Sequence, residues 1–403
     1  MELGKTIRDE AIEISALARE QHCYAIGKTG TGKSTLLRNM IAQDMQAGEA
    51  VVLIDPHGDL SRDVITDIPK GHDDDLIYLE PAYLPASVSF NLLDSVPPDD
   101  RGRVAGDIVA AWVSIFGERA VADRSQMLLR NGLLALMEHT DPTLLSVIRL
   151  LRDDDYRDSV IDNVRDPLVW SYWFQEFAGY DDKFREQVTA PILNKFDAFF
   201  AYPAIRHVLS QPENRVNLKR VIEDRKILII NVGGLGDGAD RVFGALAVSS
   251  LWSAVRAANR TPVRFYIDEF QRFVTPAIAD ILSEARKFKL SLTLGHQFWG
   301  QVPDEIKHAV FGNVGTLISF GIGALDAPLI AKQFDLSELQ LRDLKDHFAY
   351  VRGKPPSDST LIETFPPPES VRKSPDSLIA NSLSHFAQPR KMVEEHVRSQ
   401  FPH

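Results

Sequence analysis

The stretch AIGKTGTGKSTLL, residues 25–37, decides the fold. Gly27, Gly32, Lys33 and Ser34 fit G-x-x-x-x-G-K-[ST], the pattern of a phosphate-binding loop. The apolar CYAI before it reads as a short buried strand. STLLRNMIAQDM after it reads as a helix, with Leu36, Leu37, Met40 and Ile41 at helical spacing. In that setting the glycines let backbone N–H groups turn inward around phosphate oxygens. The helix N-terminus adds its dipole. Gly27, Lys28, Thr29, Gly30, Thr31, Gly32, Lys33, Ser34 and Thr35 are therefore expected to bind a nucleotide. Lys33 is expected to reach the β- and γ-phosphates, and Ser34 to ligate magnesium.

The chain has 403 residues, enough for two or three domains. Hydrophobic residues make up 44% and charged residues 25%, the balance of an ordinary globular protein. The single cysteine, Cys23, excludes an internal disulfide and a cysteine-based metal cluster. No stretch reaches membrane-spanning length. VFGALAVSSLWSAV (242–255) is too short, sits between Arg241 and Arg256, and reads as a buried helix. The N-terminal MELGKTIRDE is not a signal peptide, so a cytoplasmic location is expected. The net charge of −11 argues against a basic surface that coats nucleic acid. It leaves room for a few basic loops gathered in a ring.

Along the chain, EAVVLIDPHGDL (49–60) is a second apolar strand ending in acids and glycine. From about 98 to 220, helical periodicity dominates and long β-branched runs are missing, which predicts an all-helical insertion. RKILIINVGG (225–234), VRFYIDEF (263–270), LSLTLGHQ (290–297) and GTLISFGIG (315–323) read as further strands, with helices between them. Alternating strands and helices imply an α/β core with a mainly parallel sheet covered on both faces. The expected division is 1–97 and 221–354 for two parts of the nucleotide core, 98–220 for the insertion, and 355–403 for a Pro/Ser-rich tail. That tail reads as extended, with one short helix near QPRKMVEEHVR.

A phosphate loop alone does not separate a GTPase from a kinase, a transporter or a motor. DPHG (Asp55–Gly58) matches D-x-x-G, and NKFD (Asn194–Asp197) matches the guanine-reading N-K-x-D. The second follows REQVTAPIL inside the helical stretch, where no sheet strand presents it to a base. RFYIDEF offers the better magnesium partner. Asp268 would hold the metal by way of its waters, and Glu269 would polarise the attacking water as a general base. Gln297, ending the next strand, is the candidate γ-phosphate sensor, whereas His296 reads as a packing residue. Arg286 in EARKF has two readings: an arginine finger donated to a neighbouring subunit, or a cation relieving the dipole of a helix end.

GKTGTGKST, LIDPHGDL, FYIDEFQRF, LSEARKFKLSLTLGHQ and GNVGTLISFGIGALDAPLIAKQF together resemble the HerA/FtsK superfamily of motor ATPases. The nearest branch is the TraG/TraD-like coupling proteins and related conjugative ATPases of type IV secretion. The resemblance runs from about residue 20 to 350. It implies a RecA-like core, ATP and Mg2+ as ligands, a homo-hexamer, and ATP-driven movement of DNA through a central channel. It also implies a secretion channel, a relaxosome, or a nuclease or defence effector as partner. Asp55, His57 and Asp59 match the family's D-P-H-G-[ED] segment and are expected near the nucleotide. Membrane-bound coupling proteins begin with transmembrane helices, and the HerA branch with a β-barrel. Neither is expected here, which points to a relative without an intrinsic membrane span: a plasmid or integrative-element ATPase, or a motor serving a defence or processing nuclease. The competing readings are an ATPase that energises a secretion channel without gripping DNA, and a ring whose ATP state controls a partner.

Overall fold

The computed structural model describes residues 1–118, 121–236, 238–353 and 358–401. Its strands are β1 (Glu2–Lys5), β2 (Ala11–Glu13), β3 (Cys23–Ile26), β4 (Ala50–Asp55), β5 (Leu76–Leu79), β6 (Ala86–Val88), β7 (Ile227–Asn231), β8 (Val263–Ile267), β9 (Leu290–His296), β10 (Thr316–Ser319), β11 (Phe348–Gly353), β12 (Thr360–Thr364) and β13 (Ala387–Pro389). Eleven of them form one sheet in the order β2-β1-β12-β11-β10-β3-β9-β8-β4-β7-β5. From β10 through β3, β9, β8 and β4 to β7 every pairing is parallel. Every residue of β3, β4, β7 and β9 is buried, as expected of strands covered on both faces. Beyond β10 the sheet turns antiparallel through β11, β12, β1 and β2.

The chain forms two compact units. The first comprises Met1–Tyr78, Leu218–Val232 and Ala254–Ser382, and carries the large sheet. The Lys33–Gln46 helix packs into its core through Leu36, Leu37, Met40 and Ile41, each 0% exposed. This apolar face anchors the helix whose first turn follows the phosphate loop, so the loop is fixed at both ends.

The second unit comprises Leu79–Asn217, Gly233–Ser253 and Leu383–His403. Between 98 and 220 every described regular element is a helix, the longest being Pro98–Phe116 and Asp182–Phe200. Its core is aromatic: Trp112 stacks on Phe196 with ring centroids 4.4 Å apart, and Phe199 meets the same indole edge-on. β6 and β13 form a small antiparallel pair within it.

These units depart from the division expected from sequence. The helical unit begins at Leu79 rather than 98, and it includes 233–253 and the C-terminal helix Arg390–Gln400. The 355–403 segment is not an extended tail. β12 sits inside the sheet between β1 and β11, and the Asp376–Phe386 helix buries Leu378 in the first unit's core. Most of KPPSDS lies outside the described residues. Proline and serine enrichment misleads here because TLIET is a half-buried strand, held between β11 just before it and β1 at the far end of the chain.

Candidate nucleotide site

The loop after β3 is built as its sequence requires. Gly27 N–H donates to His296 O at 3.1 Å and Lys28 N–H to Gly321 O at 3.0 Å, tying the loop to the ends of β9 and β10. Gly30 and Gly32 have φ of 83° and 110°, the left-handed region that glycine enters without strain. Gly32 caps the Lys33–Gln46 helix with no side-chain acceptor, leaving its first N–H groups free for an anion.

Lys33 is buried, and its Nζ donates to Glu269 Oε1 at 2.7 Å and lies 3.8 Å from Asp268 Oδ1. Asp268 and Glu269 follow β8 directly; Asp268 N–H donates to Ile54 O of β4 at 3.1 Å. Glu269 takes a left-handed conformation, φ 47° and ψ 48°, uncommon for a residue with a side chain. Such strain collects at functional sites. Burial pushes the Asp268 carboxyl up to about 6, with the Glu269 and Asp55 charges adding to the effect and Lys33 opposing it. Burial also works to raise Glu269. There the Lys33 charge and the hydrogen bonds from Lys33 and Gln271 win, holding that carboxyl below its ordinary range. The two neighbouring acids are thus driven apart, one ionised and one proton-prone.

Gln297 follows β9, and its Nε2 donates to Thr29 Oγ1 of the phosphate loop. His296 is fully buried; its Nδ1 lies 2.5 Å from Tyr24 Oη, and its ring packs among Tyr24, Phe270 and Trp299. Gly295 allows the close approach of β9 to the acid. A Cβ there would stand 2.5 Å from Asp268 Oδ1 and 3.1 Å from Leu37. Sequence reading passed over this glycine because its reason is a neighbour on another strand.

Lys28, Lys33, Ser34, Asp268, Glu269 and Gln297 line one cleft of about 430 Å3. Asp55, His57 and Asp59 line it too. Asp55 accepts from His57 N–H at 2.9 Å and Ser61 N–H at 2.8 Å, so it also shapes the turn into the Asp59–Thr66 helix. His347, Pro367 and Arg38 complete the cleft without any motif announcing them. Arg286 is not among the lining residues. It is exposed on the 3-10 turn Ala285–Phe288 that precedes β9, because the expected helix ends at Glu284. NKFD lies within the Asp182–Phe200 helix, and Asp197 accepts from Arg152 at 2.5 Å, so it presents nothing to a guanine.

The residues suit a nucleotide with magnesium. The loop offers free N–H groups and a buried cation for phosphate, and the Ser34 hydroxyl and Asp268 carboxylate are hard oxygen donors of the kind Mg2+ takes. A parallel sheet with this loop and this acid pair at one edge defines a P-loop ATPase core with a RecA-like arrangement. Comparison with known proteins shows what the fold is similar to. Residues 1–83 match the family model "Helicase HerA, central domain". The bacterial conjugative coupling protein TrwBdeltaN70, in its unbound form, superposes with a TM-score of 0.67 at 17% identity, covering 92% of this chain and 89% of that one. TrwB in complex with ADP and Mg2+ gives 0.69 at 18%, covering 90% and 89%. VirB4 of Thermoanaerobacter pseudethanolicus gives 0.67 at 15%, covering 91% and 96%. A comparison with curated proteins gives no match. In fold the chain is like TrwB and VirB4, and its first 83 residues match the HerA central-domain model. Among the described residues no helix is long and apolar enough to cross a membrane.

Proposed function

We propose that the chain is a ring-forming motor, a homo-hexamer, that hydrolyses ATP at subunit interfaces and drives DNA through a central channel. One observation carries the chemistry: Lys33, Ser34, Asp268, Glu269 and Gln297 meet in one cleft from three different segments of the chain. Lys33 neutralises the β- and γ-phosphates. Glu269 takes the proton of the attacking water, and Gln297, already bonded to Thr29 of the loop, reports the γ-phosphate. Ser34 and Asp268 would hold Mg2+, which supplies positive charge beside the phosphates when bound. Arg286 completes a neighbour's site. An ATP-driven motor works where ATP is abundant, which places it in the cytoplasm.

The motor reading draws on the likeness to TrwB and VirB4 across nine-tenths of the chain. A secretion channel, a relaxosome, or a nuclease or defence effector is the partner such a motor would serve. The test is ATP turnover with and without single- and double-stranded DNA, alongside a mass measurement with nucleotide. Stimulation by DNA and a six-fold mass support the motor. The net charge of −11 favours a second reading, an ATPase that energises a channel or controls a partner without gripping DNA. Turnover indifferent to DNA would select it.

A further inference from the structure

Glu269 is held by two donors. Lys33 Nζ donates to its Oε1 at 2.7 Å, and Gln271 Nε2 donates to its Oε2 at 2.5 Å. Lys33 is also the cation of the phosphate loop, so a γ-phosphate at the loop draws it away from Glu269. Glu269 is buried. A buried carboxylate that loses its cation is strongly destabilised unless another donor takes its place. At that same moment the carboxylate must stay ionised and aimed at the attacking water.

His296 stands beside it. β8 and β9 run parallel with Ile267 opposite Leu294, so following both chains two residues further leads from that pair to Glu269 and His296. Phe270, next after Glu269, has its ring centroid 5.0 Å from that of the imidazole. Glu269 and His296 each shift the other's proton affinity, as neighbouring groups do. The imidazole is fixed in place. Its backbone carbonyl accepts from Gly27 N–H of the phosphate loop at 3.1 Å, and its ring packs against Tyr24, Phe270 and Trp299.

The hydrogen bonds assign the tautomer. Tyr24 Oη lies 2.5 Å from His296 Nδ1. Burial holds the phenol protonated, and Nδ1 is the acceptor it finds among the described residues, so the hydroxyl donates and Nδ1 accepts. Burial also keeps the imidazole neutral. A neutral ring that accepts at Nδ1 carries its hydrogen on Nε2. That Nε2 is buried and has no hydrogen-bond partner among the described residues; the nearby Phe298 backbone makes no hydrogen bond with it. A buried donor without a partner destabilises a fold, and such groups are kept where a function uses them. We propose that His296 is a positioning residue for Glu269: its Nε2–H takes up the carboxylate when Lys33 turns to the phosphate, and keeps it ionised and aimed at the attacking water. This role rests on the reading of Glu269 as the base in ATP hydrolysis.

The test measures ATP turnover, ADP affinity and urea unfolding of the full chain for wild type, His296→Phe and His296→Gln, with His296→Phe repeated in Glu269→Gln chains. Phenylalanine keeps the ring packing and removes the Nε2–H. Glutamine gives up the ring and keeps an amide N–H at about the reach of Nε2. His296→Phe should lower kcat about ten- to a hundredfold, the worth of one hydrogen bond to an ionised group. Its ADP affinity should stay within about threefold of wild type, because the loop is untouched. His296→Gln should unfold at lower urea yet keep kcat within about fivefold of wild type, since the donor is retained. A purely structural role predicts the reverse order. In Glu269→Gln chains, His296→Phe should lower the residual rate less than about threefold further, since residues that act as one unit do not add. Full turnover by His296→Phe, a His296→Gln chain as slow as His296→Phe, or an equal loss with and without Glu269 would overturn the role. Wild-type chain that binds ADP but never turns ATP over would instead overturn the hydrolase reading itself.

Discussion

Lys33 Nζ donates to Glu269 Oε1 at 2.7 Å, which joins the cation of the phosphate loop to the acid after β8 inside one buried pair. The same ammonium is what a γ-phosphate would recruit, so nucleotide and Glu269 compete for it. Glu269→Gln should leave ATP affinity within about threefold, because the phosphates meet Lys33 and the loop amides. Its turnover should fall at least about a hundredfold, since an amide accepts no proton from the attacking water. Lys33→Ala should weaken ATP binding about tenfold or more. Both follow from paired measurements of kcat and nucleotide affinity. A Glu269→Gln enzyme with near-normal kcat would remove the base assignment.

Arg19 tests the packing beneath the sheet. Its guanidinium is buried and donates to Asp44 at 2.5 Å, to Tyr266 Oη at 2.8 Å and to Thr293 Oγ1 at 3.0 Å. Tyr266 Oη donates to the same carboxylate. Arg19→Ala would strand a buried Asp44 and should cost about 3–5 kcal/mol in urea unfolding. Adding Asp44→Leu should recover much of that, because a buried pair replaced by apolar groups is close to neutral. A loss below about 1 kcal/mol for the single variant would mean that water reaches Asp44.

His296 sets a pH dependence. Burial pushes its imidazole down to about 3, with Lys33 also disfavouring the charged form and Glu269 opposing. The ordinary value is about 6.5. The folded state thus resists a proton that the unfolded chain accepts. The stabilisation is complete above about pH 6.5 and is lost progressively as pH falls toward 3. His296→Phe keeps the ring packing and removes the titration. Between pH 6 and 4 its stability should fall less steeply than wild type by up to about 1.4 kcal/mol per pH unit. Parallel slopes in urea titrations across that range would show that the imidazole is not the group responsible.

The core strands were legible because both their faces are buried. CYAI, AVVLI and ILII are continuous apolar runs, and LSLTLGH sets a leucine at every second position. β11 and β12 were not, since FAYVRG and TLIET bury only alternate residues and break the apolar signal. β1 was invisible for another reason. Besides its neighbour β2, it pairs with β12 at the far end of the chain, with Gly4 opposite Thr364, and no local pattern encodes that pairing. The site divides in the same way. Lys33, Ser34, Asp268, Glu269 and Gln297 sit at fixed offsets from apolar strands, so their spacing announces them. His347 and Pro367 reach the cleft only through the unseen strands, and Pro367 lies in a proline run that reads as tail.

Arg286 stands just before β9 begins, and Gln297 stands just after it ends. Seven residues of strand lie between the two positions, roughly 20 Å at the usual rise. Arg286 is exposed and outside the cleft of its own chain, so it can serve hydrolysis only from another subunit. Phosphoryl transfer spreads charge over the γ-phosphoryl oxygens, and a trans arginine supplies about 10³- to 10⁵-fold in hydrolases of this chemistry. Arginine suits the task because it stays charged and binds oxygens bidentately. Oligomers made only of Arg286→Ala chains should bind ATP normally and turn it over at least about a hundredfold more slowly. Oligomers mixed with Glu269→Gln chains should regain hydrolysis, at interfaces where an intact Glu269 meets an intact Arg286. The regained rate should peak near equal proportions, since that mixture maximises such interfaces. Full turnover by Arg286→Ala alone, or a mixture no faster than its parts, would leave Arg286 as a solvated cation at the end of a helix.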